Sequence, residues 1–457
     1  MKLAIDPVLA RRIGRISAPI VGAMITQTLI NQADHIMVGR LPPEESVDGQ
    51  AAVQTSLQLL WMVGGFLSAI GVGTQALVGR RFGQGDPDGA SRVLTSSVAI
   101  SAVLGISCSI IFRLLAPSLF PIVSPIPGVI AAGVPFLKWR YTALLAMAVT
   151  ASYKSFFDGI GHTHVHLVVA VVMNLLNLVL NFALIYGMGG LPRLGVEGSG
   201  IASCISSYVG MLLIIGWSFR PQLKAYHFYH LDKISGKVMR ELGRLSLPSG
   251  IAVIASLSGF GVFYKVVAQL DIAAGHAHGI YSSANANLIS VFMLIFISGI
   301  AFGQGVSTLV GQSMGARDFE AAHRYGYESA KIGFIAYAAL GAVMVAAPQT
   351  VLHLFCKDLD VIVVAAPLLR VVAIFAPLMS IALVFMYALY GAGNSRFVMV
   401  VELILHFSCL IPISYVLAIP LGGGLWGAWA AMIAYVVLMA GIMWWKFSDG
   451  SWKHIHI

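Results

Sequence analysis

"IGRISAP", residues 13–19, returns as "LGRLSLP" at residues 242–248. Gly, Arg, Ser and Pro keep their places and Ile gives way to Leu twice. The second copy stands 229 residues on, half the length of the 457-residue chain. Three more pairs follow in the same order. "GRRFGQGDPDGASR" (79–92) aligns with "GQSMGARDFEAAHR" (311–324) and keeps Gly79/Gly311, Gly83/Gly315, Asp86/Asp318, Ala90/Ala322 and Arg92/Arg324. "DGIGHT" (158–163) aligns with "YGAGNS" (390–395), and "GVEGSGIA" (195–202) with "GLWGAWAA" (424–431). One such match in a Gly- and Leu-rich chain is weak. Four in register describe a chain built twice.

The solvent of this chain follows from its composition. It is 58% hydrophobic and 10% charged, with a mean hydropathy of +0.85; a soluble protein carries about 25% charged residues. A bilayer is the natural medium, and each spanning helix needs about 20 mostly apolar residues. Apolar runs broken by Gly, Pro and charges mark twelve spans. In the first half they cover 16–38, 51–76, 93–116, 132–153, 166–187 and 199–219. In the second they cover 246–270, 283–310, 329–353, 366–390, 398–419 and 425–446. Irregular backbone is excluded from lipid, so the spans are helices. Six spans per half is an even number, so both copies enter the membrane in the same direction. The expected fold is therefore an all-α membrane protein with two parallel six-helix bundles around a central cleft. Its expected divisions are an N-terminal lobe (1–219), a cytoplasmic linker (220–241) and a C-terminal lobe (242–457).

Charge sets the orientation. With the N-terminus inside, the outer segments hold Arg40, Arg113, Lys138, Arg140, Arg193 and Lys357, while Lys265 and Arg370 fall within spans. The remaining Lys and Arg, out of 28 in all, gather on the inner side, six of them between Arg220 and Arg244. Positive residues collect in cytoplasmic loops, so both termini are expected in the cytoplasm. The net charge of +9 has the same origin; no basic run points to nucleic acid. The N-terminus lacks the short apolar core of a signal peptide. Cys108, Cys204, Cys356 and Cys409 are scattered, without metal-ligand spacing or a disulfide framework. His454 and His456 close the chain as a polar tail. No Walker-type phosphate loop is present.

The paired halves, "ADHIMVGRL" in the first span, the two Gly-rich loops, "LGVEGSGIA" and "GLWGAWAAMIAY" together resemble the MATE (multidrug and toxic compound extrusion) family, over essentially the whole chain and nearest to its bacterial DinF-like branch. The resemblance implies a twelve-helix antiporter of the bacterial inner membrane. It would export cationic or amphipathic compounds in exchange for protons or sodium ions, with no cofactor beyond the coupling ion. It would be no enzyme and would work as a monomer in the lipid bilayer on small-molecule substrates.

Polar residues inside spans are costly and mark pathways. Gln27, Asn31 and Asp34 recur at i, i+4 and i+7, on one face of the first helix. Asp34 lies about 27 Å along that helix from Ile16, so it reads either as an interfacial carboxylate or as a buried proton carrier. The resemblance favours the second, because the family carries its essential Asp in this motif. Asn174, Asn177 and Asn181 form another single stripe, suited to a cation, to Asp34, or to bonding between helices. Ser203 matches a hydroxyl position of the family's first-half pocket. Some relatives carry Asp at the place of Asn181, which weakens a highly charged cation site here. The loops carrying Gly79, Gly83, Asp86 and Arg92, and Gly311, Gly315, Asp318 and Arg324, read as hinges and cytoplasmic gates, or as ordinary turns whose Asp and Arg cap helices or pair.

The second half is not equivalent. At the repeat offset, Gln27, Asn31 and Asp34 meet Ser256, Phe260 and Phe263. Relatives with a sodium site in this half carry Glu in span 7 and Asp in span 10; neither is present. Lys265, Arg370 and Glu402 read as snorkelling residues near span ends. His406, at the repeat position of Asn174, reads as a hydrogen-bonded structural histidine. Two other functions compete with export. A lipid-linked precursor flippase of the same superfamily usually has extra helices or a strongly cationic cleft. A channel usually builds its pore from several subunits.

Overall fold

The computed structural model describes residues 5–228, 230–274, 279–356 and 358–455. Lys2, Lys357 and His456 lie outside the described residues. Among those described, all regular structure is helical. The first repeat contains α1 (Pro7–Gly39), α2 (Pro43–Ser68) with α3 (Ile70–Gly83), and α4 (Pro87–Val123). It continues with α5 (Pro127–Thr142) and α6 (Leu144–Gly159), then α7 (His164–Tyr186) and α8 (Gly195–Ser218). The second repeat contains α9 (Gly236–Ala274), α10 (Ile280–Gly315), α11 (Phe319–Ala346) with the short α12 (Pro348–His353), and α13 (Leu359–Ile374) with α14 (Ala376–Gly391). It ends with α15 (Ser395–Ile404) and α16 (Ile411–Ala418), separated by a π-helical turn at Leu405–Leu410, and α17 (Gly424–Ser448).

These helices supply the twelve expected spans, six per repeat. Ten are straight enough, long enough and apolar enough to cross a bilayer, and α13 with α14 makes an eleventh, bent by 51°. The remaining span is α5 with α6, whose two 16-residue pieces carry Lys138, Arg140 and Lys154. The break in this span at Ala143 recurs at Phe375, the same position of the repeat.

Duplication is visible in the backbone as well as in the letters. Positive φ angles fall at Gly85 and Arg317 (70° and 58°), Gly161 and Gly393 (82° and 85°), and Gly195 and Gly424 (54° and 55°). Each pair occupies equivalent repeat positions. Asp86 caps α4 by accepting from the Gly89 N–H at 2.8 Å, and Asp318 caps α11 by accepting from the Ala321 N–H at 2.9 Å. The close crossings repeat too. A Cβ on Gly198 would stand 2.6 Å from the Leu184 carbonyl oxygen, and one on Gly427 would stand 2.4 Å from that of Leu417. Small residues at these points let helix backbones touch where lipid offers no hydrophobic drive for association.

By packing, the chain divides into two compact units. One is Ala18–Gly250; the other joins the residues up to Ser17 to Ile251 and beyond. The packing boundary therefore falls within α1 and within α9, whereas the division expected from sequence falls at 219 and 242. In the first unit, Leu60, Leu67, Phe120, Tyr141 and Leu144 form one buried cluster, and Val38, Val53, Phe136 and Ile185 another. In the second, Phe263, Phe385, Trp429 and Phe447 are fully enclosed.

The described residues of the 220–235 stretch pack on the first unit. Lys233 is buried, paired with Asp88 at 2.8 Å and bonded to the Tyr226 carbonyl at 3.0 Å. The Ser235 N–H donates to Ser96 Oγ at 3.2 Å, and Tyr226 and Phe228 both pack edge-on against Phe156 at 5.3 Å.

The duplicated turn gives a clean test of backbone strain. A Cβ on Gly85 would meet nothing within 4 Å, so only its left-handed φ opposes a side chain. Gly85→Ala should lower the unfolding free energy by about 1 kcal/mol. Arg317→Gly, at the equivalent turn, should not lower it. Thermal unfolding of the purified variants measures both.

Candidate functional site

Three helices of the first unit bring the singled-out polar residues together. The α7–α8 crossing at Gly198 holds those helices side by side, and the C-terminal half of α1 lies against α7, where the Tyr186 hydroxyl donates to the Met37 carbonyl at 2.7 Å. Asp34 of α1, Asn177 and Asn181 of α7 and Ser203 of α8 are all buried. Asp34 is 8% exposed, so its carboxylate is enclosed by protein.

Asn181 Nδ2 donates to Asp34 Oδ1 and to Asn177 Oδ1, the latter at 3.1 Å. The Asn177 amide can be set two ways, and reversing it exchanges the bond from Asn181 for a 3.1 Å approach of the Asn177 and Asn181 amide nitrogens. In one, Nδ2 donates to Ser203 Oγ at 3.2 Å while Oδ1 accepts from Asn181. In the other, the amide is reversed: Nδ2 donates to Asp34 Oδ1 at 3.1 Å and Oδ1 accepts from Ser203 Oγ and from the Ser203 N–H, each at 3.2 Å. An ionised carboxylate only accepts hydrogen bonds, so the reversed setting matches ionised Asp34. The first setting puts two oxygens face to face unless Asp34 carries the proton between them.

The other members of the stripes stand apart. Gln27 donates to Asn31 at 3.3 Å, both part-buried, and neither has a direct hydrogen bond to Asp34. Asn174 is buried, with its Nδ2 lacking a hydrogen-bond partner among the described residues, as does Asn181 Oδ1. Among the described residues, no group of three or more His, Cys, Asp and Glu side chains is arranged to hold a metal.

One neighbour was not legible. Arg140, expected in an outer segment, belongs to α5 and acts electrostatically on Asp34. No ion pair within 4.0 Å joins them among the described residues, and Arg140 Nε is buried without a hydrogen-bond partner. A guanidinium held near a carboxylate but out of contact biases its charge without capping it. Charge counting cannot tell such an Arg from one in a loop.

In the Gly-rich loops, Gly79 and Gly83 lie in α3, and Gly311 and Gly315 in α10. Asp86 and Asp318 are helix caps. Arg92 pairs with Asp88 at 2.9 Å, and Arg324 with Asp6 at 2.7 Å. The second unit brings one correction. Glu402 is 6% exposed and bonded to His406 and Tyr435, not snorkelling. A position near a span end was inferred from residue counting, whereas the inward face of α15 decides its surroundings. Lys265 and Arg370 are exposed.

The MatE family model matches residues 19–183 and 272–416. The chain belongs to the MatE family and is a membrane transporter rather than an enzyme. It is 26% identical over 447 residues to the multidrug resistance protein NorM of Burkholderia vietnamiensis, covering 95% of this chain and 92% of that one. It is 25% identical to the multidrug resistance protein PmpM of Pseudomonas aeruginosa (88% and 83% covered), and 24% identical to the uncharacterized transporter YisQ of Bacillus subtilis (93% and 90%). In fold it is similar to a MOP superfamily transporter from Pyrococcus furiosus, with a TM-score of 0.88, 21% identity, and 98% and 97% of the two chains covered. A multidrug resistance MATE family transporter in an outward-facing conformation matches with the same figures.

The Asp34–Asn181 contact is measurable. Asn181→Ala leaves the carboxylate short of a donor, and a hydrogen bond to a charged group contributes about 1.5–3 kcal/mol. In a double-mutant cycle, Asn181→Ala should cost less in an Asp34→Ala background than in the wild type, by at least about 1 kcal/mol. Equal costs in both backgrounds would show that the two side chains are not coupled.

Proposed function

We propose that this transporter is a proton-coupled antiporter exporting cationic or amphipathic drugs and toxins, with Asp34 as the proton carrier. The observation that carries the reading is the buried Asp34, held by an Asn amide and faced by a second amide whose two settings match its two protonation states. The resistance proteins NorM and PmpM, similar over most of their length, support the substrate class.

In the ionised state Asn181 and the reversed Asn177 both donate to Asp34, and Ser203 donates to Asn177. When Asp34 takes a proton, its hydroxyl donates to Asn177 Oδ1, and the Asn177 amide turns to donate to Ser203. Protonation at α1 is thereby passed as a change of hydrogen-bond direction to α7 and α8. Such a network shifts the balance between conformers by favouring one set of partners over the other. Sodium is the alternative coupling ion, bound by one carboxylate and neutral oxygens.

Asp34→Asn should abolish export driven by a proton gradient in proteoliposomes while leaving part of the substrate binding intact. Full proton-driven export by that variant would refute the assignment. Export by the wild type driven by sodium alone at fixed pH would replace the proton with the metal ion.

The same reading places both termini and the 220–241 segment in the cytoplasm. Its support is the charge asymmetry. Lys237 and Pro43 are both exposed, whereas Lys233 is buried and unsuited to labelling. Single cysteines at 237 and 43, in a chain freed of its own four, should label from opposite sides of the membrane with an impermeant thiol reagent. Labelling of the 237 position from outside would invert the orientation.

A further inference from the structure

The second unit encloses a titratable pair that the Asp34 reading does not use. Glu402 ends α15, and His406 sits one turn on, inside the π-helical turn Leu405–Leu410. Single π turns within α-helices occur frequently at functional sites. The His406 ring has no exposed surface. Its Nδ1 lies 2.9 Å from the Glu402 carbonyl oxygen and 3.1 Å from Glu402 Oε2. Two acceptors at Nδ1 require a proton there. The neutral ring then carries its lone pair on Nε2, and Nε2 is buried with no hydrogen-bond partner among the described residues.

The surroundings are built to hold this ring. A Cβ on Gly259 would stand 2.5 Å from His406 Cδ2, so only glycine leaves room for the edge that carries Nε2. Tyr435 of α17 packs edge-on at 4.8 Å and Phe260 of α9 at 5.8 Å. The Tyr435 hydroxyl donates to Glu402 Oε2 at 3.2 Å, and Ser256 Oγ of α9 donates to it at 3.3 Å. Tyr387 and Tyr390 of α14 also face the carboxylate, and Cys409 is the remaining titratable neighbour on its own segment. Among the described residues, no Lys or Arg forms an ion pair with Glu402. Histidine is its one partner that can become a cation.

We infer that Glu402 and His406 form a second proton-binding site, in the second bundle, in which the carboxylate fixes the imidazole with its proton on Nδ1 and leaves Nε2 as the base. A purely structural histidine would satisfy both nitrogens, because an orphaned buried polar atom is costly. Here one nitrogen is held by two acceptors and the other is kept free. Proton uptake from water at Nε2 turns a buried anion into a neutral ion pair, which lowers the net charge enclosed by the bundle. The site occupies the repeat position of Asn174 but uses a different ligand, and it needs nothing from Asp34.

The test is nitrogen NMR of the full-length protein in lipid nanodiscs with ¹⁵N-labelled histidine, with the His406 signals identified by their loss in His406→Gln. At alkaline pH they should show the two well-separated shifts of a neutral ring protonated at Nδ1, and on acidification they should converge to the imidazolium pattern. Glu402→Gln, which keeps the side chain's size and the backbone acceptor at Nδ1 but removes the negative charge, should move that convergence to lower pH; it also identifies the signal if His406→Gln does not fold. The transition should persist in Asp34→Asn, so that failure here is separate from failure of the Asp34 assignment. A His406 ring that keeps one neutral pattern throughout, or whose convergence is unmoved by Glu402→Gln, would overturn the proposal.

Discussion

A peptide group placed in hydrocarbon finds no water to bond, and each unpaired one costs several kcal/mol. That constraint turns every span of this chain into a helix and leaves side chains as the only free polar groups at membrane depth. The same cost drives those side chains inward. Asp34, Asn181 and Ser203 in one unit, and Glu402 and His406 in the other, each find partners on neighbouring helices or on their own next turn. The polar interior is thus a short inventory in which almost every atom has a specified partner. The few without one, such as Asn174 Nδ2 and His406 Nε2, stand out against it.

Much of the fold could be read from the letters because duplication writes the same information twice. The repeated Gly-x-x-Asp turns at Gly83–Asp86 and Gly315–Asp318 locate the joints between helices: Gly85 and Arg317 have matching backbone conformations although one is glycine and the other is not. The polar stripe of α7 was legible because three amides at helical spacing can only share a face. Its meeting with Asp34 was one of several open readings, since periodicity fixes a face and not the neighbour it turns towards. Arg140 and Glu402 were misplaced for the same reason. Distance along a helix estimates depth, while burial depends on which helix lies opposite.

The two units put different chemistry at related positions. Asn174 of α7 corresponds to His406, and Gln27 of α1 to Ser256. In the first unit a carboxylate on one helix is satisfied by amides from another, so its state is shared between helices. In the second, carboxylate and imidazole lie on one segment, with α9 and α17 contributing hydroxyls. Duplication supplied the scaffold twice, and substitution on the scaffold made the halves unequal.

The docked segment between the repeats bears on how the chain assembles. A free coil of some sixteen residues would let its ends wander by about 5–6 Å times the square root of its length. Here the Lys233–Asp88 pair and the aromatic contacts with Phe156 hold that stretch on the first unit. Its conformational entropy is given up together with the folding of the first unit. The leading helix of the second repeat therefore starts from an anchored origin, and the search for its place begins with one end already found.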